Sequence, residues 1–194
     1  NLVPFPKLKF LIPALSPLYV GKDAKRAPSR LDQMFTDGFS PSHQLIKADP
    51  KREGAYLACA LMVRGNTVQI GDINRNLTKV RGELRMAHWN TDAFKVGLCS
   101  VPPVGMPHSM LTLANNTCIA NTFDQMKNRF QKLYKRKAHV HHYTQFLDDP
   151  SIFDDSVASL ESLISEYQKV DKAAVRRPGQ PGSESARNRL VADV

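Results

Sequence analysis

A chain of 194 residues, 42% hydrophobic and 23% charged, has the composition of an ordinary globular protein with room for one large domain or a domain carrying an added helical layer. Its longest apolar run, Ala55 to Val63, is far short of the roughly 18 to 20 residues that cross a bilayer, and no charged-then-apolar leader opens the sequence, so no membrane is expected and the cytosol is the default compartment. Lys and Arg exceed Asp and Glu by 27 to 18, a net charge of +9 that admits an acidic protein surface or nucleic acid, but no basic cluster alternates with aromatics as a single-strand-binding platform would.

Lys7 to Ala14 sets Leu8, Phe10, Ile12 and Ala14 on one side, the alternation of a strand, bracketed by Pro4, Pro6, Pro13 and Pro17. Tyr19 to Pro28 is a polar, basic loop. Ser29 and Asp32 can cap a short helix whose apolar side is Leu31, Met34, Phe35 and Phe39, stopped by Gly38 and Pro41. Tyr56 to Val63 is almost continuously apolar, which predicts a central strand covered on both faces. Arg64-Gly65-Asn66 turns the chain. From Thr67, Ile70, Ile73, Leu77, Val80 and Leu84 recur at helical steps, although Gly71 and Gly82 each cost roughly 1 kcal/mol against Ala. Met86 to Trp89, Lys95 to Val101 and Ser109 to Asn115 read as strands, with Pro102-Pro103 breaking the backbone between the last two. This order predicts an α+β fold, a mixed β-sheet with helices packed on it.

A different pattern begins at Asn121. Thr122 and Gln125 have the spacing of a capping box, and Phe123, Met126, Phe130, Leu133 and Tyr134 form a stripe among Lys127, Arg129, Lys132, Lys135 and Arg136. Asp149-Pro150 can open a second helix with Phe153, Val157, Leu160, Leu163, Ile164 and Tyr167 on one side and Asp154, Asp155, Glu161 and Glu166 around them. A basic and an acidic amphipathic helix joined by a short connector should lie antiparallel, the apolar stripes supplying most of the energy and the charges the register. After Val170 the period ends, and Arg176 to Ser183 has the composition of a flexible segment.

Candidate chemistry is sparse. His139, His141 and His142 cannot all face one side of a helix and have no nearby Cys or carboxylate set, so no metal site is assigned. Asp148-Asp149 and Asp154-Asp155 lack the alternating ligands of a calcium loop and read as charges at a helix start. Cys59, Cys99 and Cys118 are odd in number, widely spaced and set in apolar or strand-like runs, which predicts reduced, buried thiols. There is no Gly-x-x-x-x-Gly-Lys-Ser/Thr phosphate loop.

Three strings occur in order: Asn1-Leu-Val-Pro-Phe-Pro6, Lys137-Ala-His-Val-His-His-Tyr143 and Leu163-Ile-Ser-Glu-Tyr-Gln168. With them the sequence resembles the C-terminal half of a tubulin, from Asn1 to about Val170. Tyr56-Leu-Ala-Cys-Ala-Leu-Met-Val-Arg-Gly-Asn66, Leu98-Cys-Ser-Val-Pro-Pro-Val-Gly105 and Leu113-Ala-Asn-Asn-Thr-Cys118 favour one branch of that family. The resemblance implies a tubulin-like intermediate domain at residues 1–120, a C-terminal antiparallel helical hairpin at 121–170 and a flexible basic tail at 171–194. It implies a part that follows a nucleotide-binding domain, with GTP expected for the full-length parent. The family's Gly-Gly-Gly-Thr-Gly-Ser-Gly loop is not in this sequence, so no cofactor and no catalytic residue is expected here. The acidic residue that assists hydrolysis of a neighbour's nucleotide would lie upstream of Asn1.

For surfaces, the resemblance implies end-on (longitudinal) contacts at Asn1, Val3, Phe5 and Lys7 and at the turn holding Trp89, Asn90 and Phe94, with Trp89 equally readable as a core aromatic. It implies a lateral loop carrying Tyr19, Lys22, Lys25 and Arg26, shorter than in alpha- and beta-tubulin. Lys127, Lys132 and Lys135 are the candidate partner-facing positions of the first hairpin helix, and His141 is expected at that helix's end. The last 24 residues carry five basic side chains against three acids, unlike the Glu-rich tails of conventional tubulins, so neither tail polyglutamylation nor strong motor recruitment is expected. Implied partners are delta-tubulin, other tubulins and centriolar proteins, with no nucleic acid and no membrane. The implied setting is the cytoskeleton of the centrosome, centriole and basal body, in support of triplet microtubules. A delta-tubulin-like or divergent polymerising tubulin, or a piece of a GTPase lacking its nucleotide domain here, are the alternatives.

Overall fold

Four strands, β1 (Leu11–Ser16), β2 (Tyr56–Gly65), β3 (Phe94–Cys99) and β4 (His108–Asn116), form one mixed sheet in the order β1-β4-β2-β3. The structure is a computed structural model and describes residues 1–18, 30–90, 93–147, 149 and 151–174. β4 runs antiparallel to both β1 and β2, and only β2 with β3 is parallel. That parallel step needs a crossover, which α2 (Ile70–Glu83) supplies. α1 (Leu31–Gly38) packs with α2 on one face of the sheet, where Met34, Phe35 and Phe39 meet Tyr56, Leu61, Val63, Ile73, Val80 and Met110.

The continuous apolar run of β2 is explained by a second layer at its start. Leu57 joins a separate cluster with Leu8, Ile12, Cys118, Ile119, Tyr167 and Val170, so the strand is covered on both sides there. Further along, Met62 is 48% exposed and Arg64 is exposed, so the double cover expected for the whole run holds only for its first half. The hairpin helices α3 (Ile119–Tyr134) and α5 (Ile152–Ala174) build that second layer. They are antiparallel, since Thr117 meets Asp171, Lys127 meets Glu161 and Tyr134 meets Asp154. Phe130, Tyr134 and Phe153 form a three-ring cluster at the far end of the pair, with centroids 5.4, 5.5 and 6.0 Å apart.

Several boundaries differ from the sequence expectations, each for a bonding reason. β1 begins at Leu11 instead of Lys7 because the chain before it is turned by Leu8 N–H donating to Phe5 O, while Leu8 O is taken by a side chain. Its Pro13 is tolerated because β1 is an edge strand. Met86 to Trp89 is no strand: it touches β2 through one isolated bridge, Tyr56 to Met86, and then turns. Ile70, placed on the apolar side of α2, is 66% exposed at the helix's first residue, while Ile73, Val80 and Leu84 are buried. Arg30 occupies the N-cap of α1 without a side-chain bond, and Asp32 instead accepts from Arg75 and Asn76; Ser29 lies outside the described residues. α3 starts before Asn121, so Thr122 is inside the helix and the predicted capping box is not used. The limits 120/121 and 170/171 therefore fall within α3 and α5.

Candidate contact surfaces

Three consecutive polar residues, Asn115, Asn116 and Thr117, at the end of β4 and the turn after it, tie the N-terminal segment, the sheet and the hairpin together. Most buried polar groups are bonded, and these bond in three directions, with Asn115 Oδ1 alone among their side-chain atoms left without a partner. Asn115, fully buried, donates through Nδ2 to Leu2 O at 2.9 Å and Leu8 O at 2.7 Å. Asn116 Nδ2 donates to Pro50 O, and its Oδ1 accepts from Cys118 N–H at 2.8 Å, satisfying an amide at the start of α3. Thr117 Oγ1 accepts from Ala55 N–H at 2.8 Å and donates to Asp171 Oδ1 at 2.7 Å. This junction was not anticipated; its only signal in the sequence is a run of short polar side chains directly after a strand.

Through that junction the Asn1–Lys7 segment is held in a defined place. Phe5 is half-buried against the second cluster, Lys7 Nζ pairs with Glu166 Oε1 of α5 at 2.8 Å, and Phe10 N–H donates to Tyr167 OH. Of the four candidates in this segment, Asn1 is exposed and Val3 is 41% exposed, and Lys7 is shared between solvent and α5. Burial pushes the Tyr167 hydroxyl up to about 12, with the bond from Phe10 opposing.

The second end-on candidate converges on the same cluster. Trp89 is half-buried there with His88 edge-on at 5.0 Å, so it is a core aromatic with part of its ring outward. Asn90 Nδ2 donates to Leu57 O at 2.7 Å and braces the turn. Phe94 corrects the expectation: it is buried, and the Arg81 guanidinium lies 5.5 Å from its ring centroid, leaving no ring face for a partner. The lateral-loop residues Tyr19, Lys22, Lys25 and Arg26 lie outside the described residues, as does the tail from 175 onward.

On the hairpin, Lys127 also departs from its expected role. Its side chain is only 17% exposed and pairs with Asp124 at 3.1 Å and Glu161 at 3.7 Å, so it sets the register of α3 against α5. Lys132 and Lys135 are exposed. His141 does not end α3: Lys137 and His139 adopt left-handed backbone conformations that break the chain away, and His141 lies in a separate short helix, α4 (Val140–Thr144). Its ring is 3.9 Å from that of His142, and among the described residues no three His, Cys, Asp or Glu side chains are placed to hold a metal ion. Asp149 accepts from both N–H and Oγ of Ser151, and these bonds hold its carboxyl below the usual range at the head of α5.

Of the thiols, Cys59 and Cys118 are buried as expected, and desolvation pushes each up to about 12. Cys99 is exposed, because it lies on the edge strand β3 at the uncovered end of the sheet. Glycines with positive φ, Gly54, Gly65 and Gly105, sit singly at separate turns, so the described residues supply no run of glycine amides to wrap a phosphate. No described helix is long and apolar enough to cross a membrane.

Comparison with known proteins adds the following. Residues 6–128 match the tubulin C-terminal domain model. The chain is 54% identical over 172 residues to the tubulin epsilon chains of Homo sapiens and of Mus musculus, covering 88% of itself and 36% of each of them. Against the tubulin beta-2 chain of Suillus bovinus identity falls to 35% over 176 residues, covering 90% of itself and 39% of the relative. The chain thus spans little more than a third of the length of the relatives it matches, and the branch favoured by the strings at Tyr56, Leu98 and Leu113 is the epsilon one.

Proposed function

From the premise that this chain belongs to the tubulin family, we propose that it is the contact-bearing C-terminal portion of an epsilon-type tubulin, which presents shaped faces to delta-tubulin, other tubulins and centriolar proteins. In this reading residues 1–120 form the intermediate domain, 121–170 the covering hairpin and 171–194 a basic tail. The protein works structurally in the triplet microtubules of centrioles and basal bodies, within the centrosome and at the base of cilia. GTP belongs to the whole protein, held by a domain preceding this portion, and any hydrolysis is a property of that assembly. The role of this portion is binding.

The observation that carries the reading is the anchoring of the N-terminal segment. Asn115 grips the carbonyls of Leu2 and Leu8, so the exposed side chains of Asn1 and Val3 are presented from a backbone already fixed to the core. Preorganisation of this kind lowers the ordering cost of an end-on contact. Trp89, which packs on the same cluster, extends that end of the molecule. The test is analytical size exclusion and titration of this chain with purified delta-tubulin and with alpha–beta tubulin. A complex with either that is weakened at least about tenfold by Val3→Asp supports the reading. Absence of any complex, or complexes indifferent to Val3→Asp and Trp89→Ala alike, would overturn it.

A further inference from the structure

Residues 1–10 lie across the junction without joining the sheet. β1 pairs with β4 only from Leu11 onward, and Pro4 and Pro6 bring no backbone donor with which the ladder could be extended. What holds this stretch is a set of contacts to distant side chains. Asn115 Nδ2 has two hydrogens and gives one to Leu2 O and the other to Leu8 O, so a single amide closes residues 2 to 8 into a loop. On its other side the stretch is fastened to the last turns of α5. Lys7 Nζ meets Glu166 Oε1, Phe10 N–H donates to Tyr167 OH at 3.3 Å, and Leu8 shares a cluster with Tyr167, Val170 and Ala174. The clamp is incomplete: Asn115 Oδ1 is buried with no partner among the described residues, and turning the amide over cannot satisfy it, because both carbonyls need its N–H groups.

We propose that residues 1–10 form a releasable strap, through which a displacement of the portion preceding Asn1 loosens the C-terminal end of α5. The two states are the strap docked, with both Asn115 bonds made, and the strap lifted, with the last turns of α5 uncovered. Lifting breaks no bond of the sheet ladder, and it opens the bare Asn115 oxygen to water, which offsets part of the loss. It cannot leave α5 as it was. Leu8, 2% exposed, leaves the cluster it shares with Tyr167 and Val170, and that end of the helix then depends on the bond from Thr117 to Asp171. α2 packs into the other cluster, through Ile73 and Val80, so the release is local. The strap is not a free surface: in the parent the preceding portion is its covalent neighbour, the first candidate to cover Asn1 and Val3, and the side from which it is pulled. The inference rests on the reading above for what precedes Asn1.

Amide hydrogen exchange followed by NMR, on the full 194-residue chain and two variants of it, reads both ends of the strap. A chain starting at Pro4 lacks the Leu2 carbonyl and keeps the Leu8, Lys7 and Phe10 contacts. In it the α5 amides from 164 to 174 should exchange at least about fivefold faster, while those of α2 stay within about twofold. Tyr167→Phe keeps the ring and removes the acceptor of Phe10 N–H. Because coupling is reciprocal, the Leu8 amide, whose own acceptor Phe5 O is untouched, should then exchange at least about threefold faster. Unchanged α5 amides in the shortened chain, an unchanged Leu8 amide in Tyr167→Phe, or an acceleration shared equally by α2 would each overturn the strap. If it falls while complexes with delta-tubulin form and remain sensitive to Val3→Asp, the wider reading stands. If the amides behave as expected and no tubulin complex forms, the strap is supported and only that reading falls.

Discussion

Replacing Thr117 by Val keeps the shape of the side chain and removes the oxygen through which the sheet, the turn and the hairpin meet. The buried Ala55 N–H loses its 2.8 Å acceptor and has no water to turn to, since Ala55 is fully buried. An orphaned buried amide costs about 1 to 3 kcal/mol. The second loss is smaller: the Asp171 side chain is 34% exposed, so solvent replaces the hydroxyl at its carboxylate, and about 0.5 to 1 kcal/mol is forfeited. Together Thr117→Val should destabilise by about 1.5 to 4 kcal/mol. Thr117→Ser retains both bonds and gives up one methyl group, about 0.8 kcal/mol. Urea unfolding followed by far-ultraviolet circular dichroism and by the fluorescence of the single tryptophan, Trp89, measures both variants in one assay. A Val variant within about 0.5 kcal/mol of the Ser variant would show that Ala55 N–H finds another partner, and the junction would then not be what couples the layers.

The two kinds of glycine should respond to alanine with opposite signs. Gly54 has φ of 90° and its added Cβ would lie 2.5 Å from Thr117 Oγ1, so Gly54→Ala should cost more than about 2 kcal/mol; Gly82 in α2 has open space around it, so Gly82→Ala should gain up to about 1 kcal/mol in the same unfolding assay. Thiol chemistry should divide in the same way. At pH 8 a thiol held at about 12 exposes well under about one thiolate in a thousand, so alkylation and peptide mass mapping should find Cys99 modified and Cys59 and Cys118 protected until the chain unfolds. Because the folded state holds the protons of Cys59 and Cys118 more tightly than the unfolded state, their contribution is fully present below pH 9 and lost as pH rises toward 12, so the urea midpoint should fall across that window.

Much of the fold is legible in local pattern. The apolar stripes of α3 and α5 are buried against each other and against the sheet, with Met126 and Leu133 of the expected α3 stripe left exposed, and the opposite charges of the two helices agree with the pairing found at Lys127 and Glu161. The run from Tyr56 to Val63 announces an inner strand, and β2 does lie between β4 and β3, although its side chains are sheltered on both faces only until Met62, which is exposed. The misplaced elements are those whose bonds run to distant residues. Met86 to Trp89 has the composition of a strand, but its neighbour in space offers a single bridge. Lys7 to Phe10 alternates like a strand, yet its backbone partners are the side chains of Asn115 and Tyr167, more than a hundred positions away.

Composition and periodicity by themselves determined the α+β class and the helical hairpin, because side-chain burial repeats at intervals that a short window of sequence records. Only the tertiary structure decided which charged and aromatic residues remain available. Lys127 is spent inside the hairpin and Phe94 under Arg81, whereas Lys132, Arg129 and Val3 face outward. The physical reason is that a side chain's freedom depends on what other segments bring against it, and those neighbours are set by the packing of layers, not by the residues on either side of it in the chain.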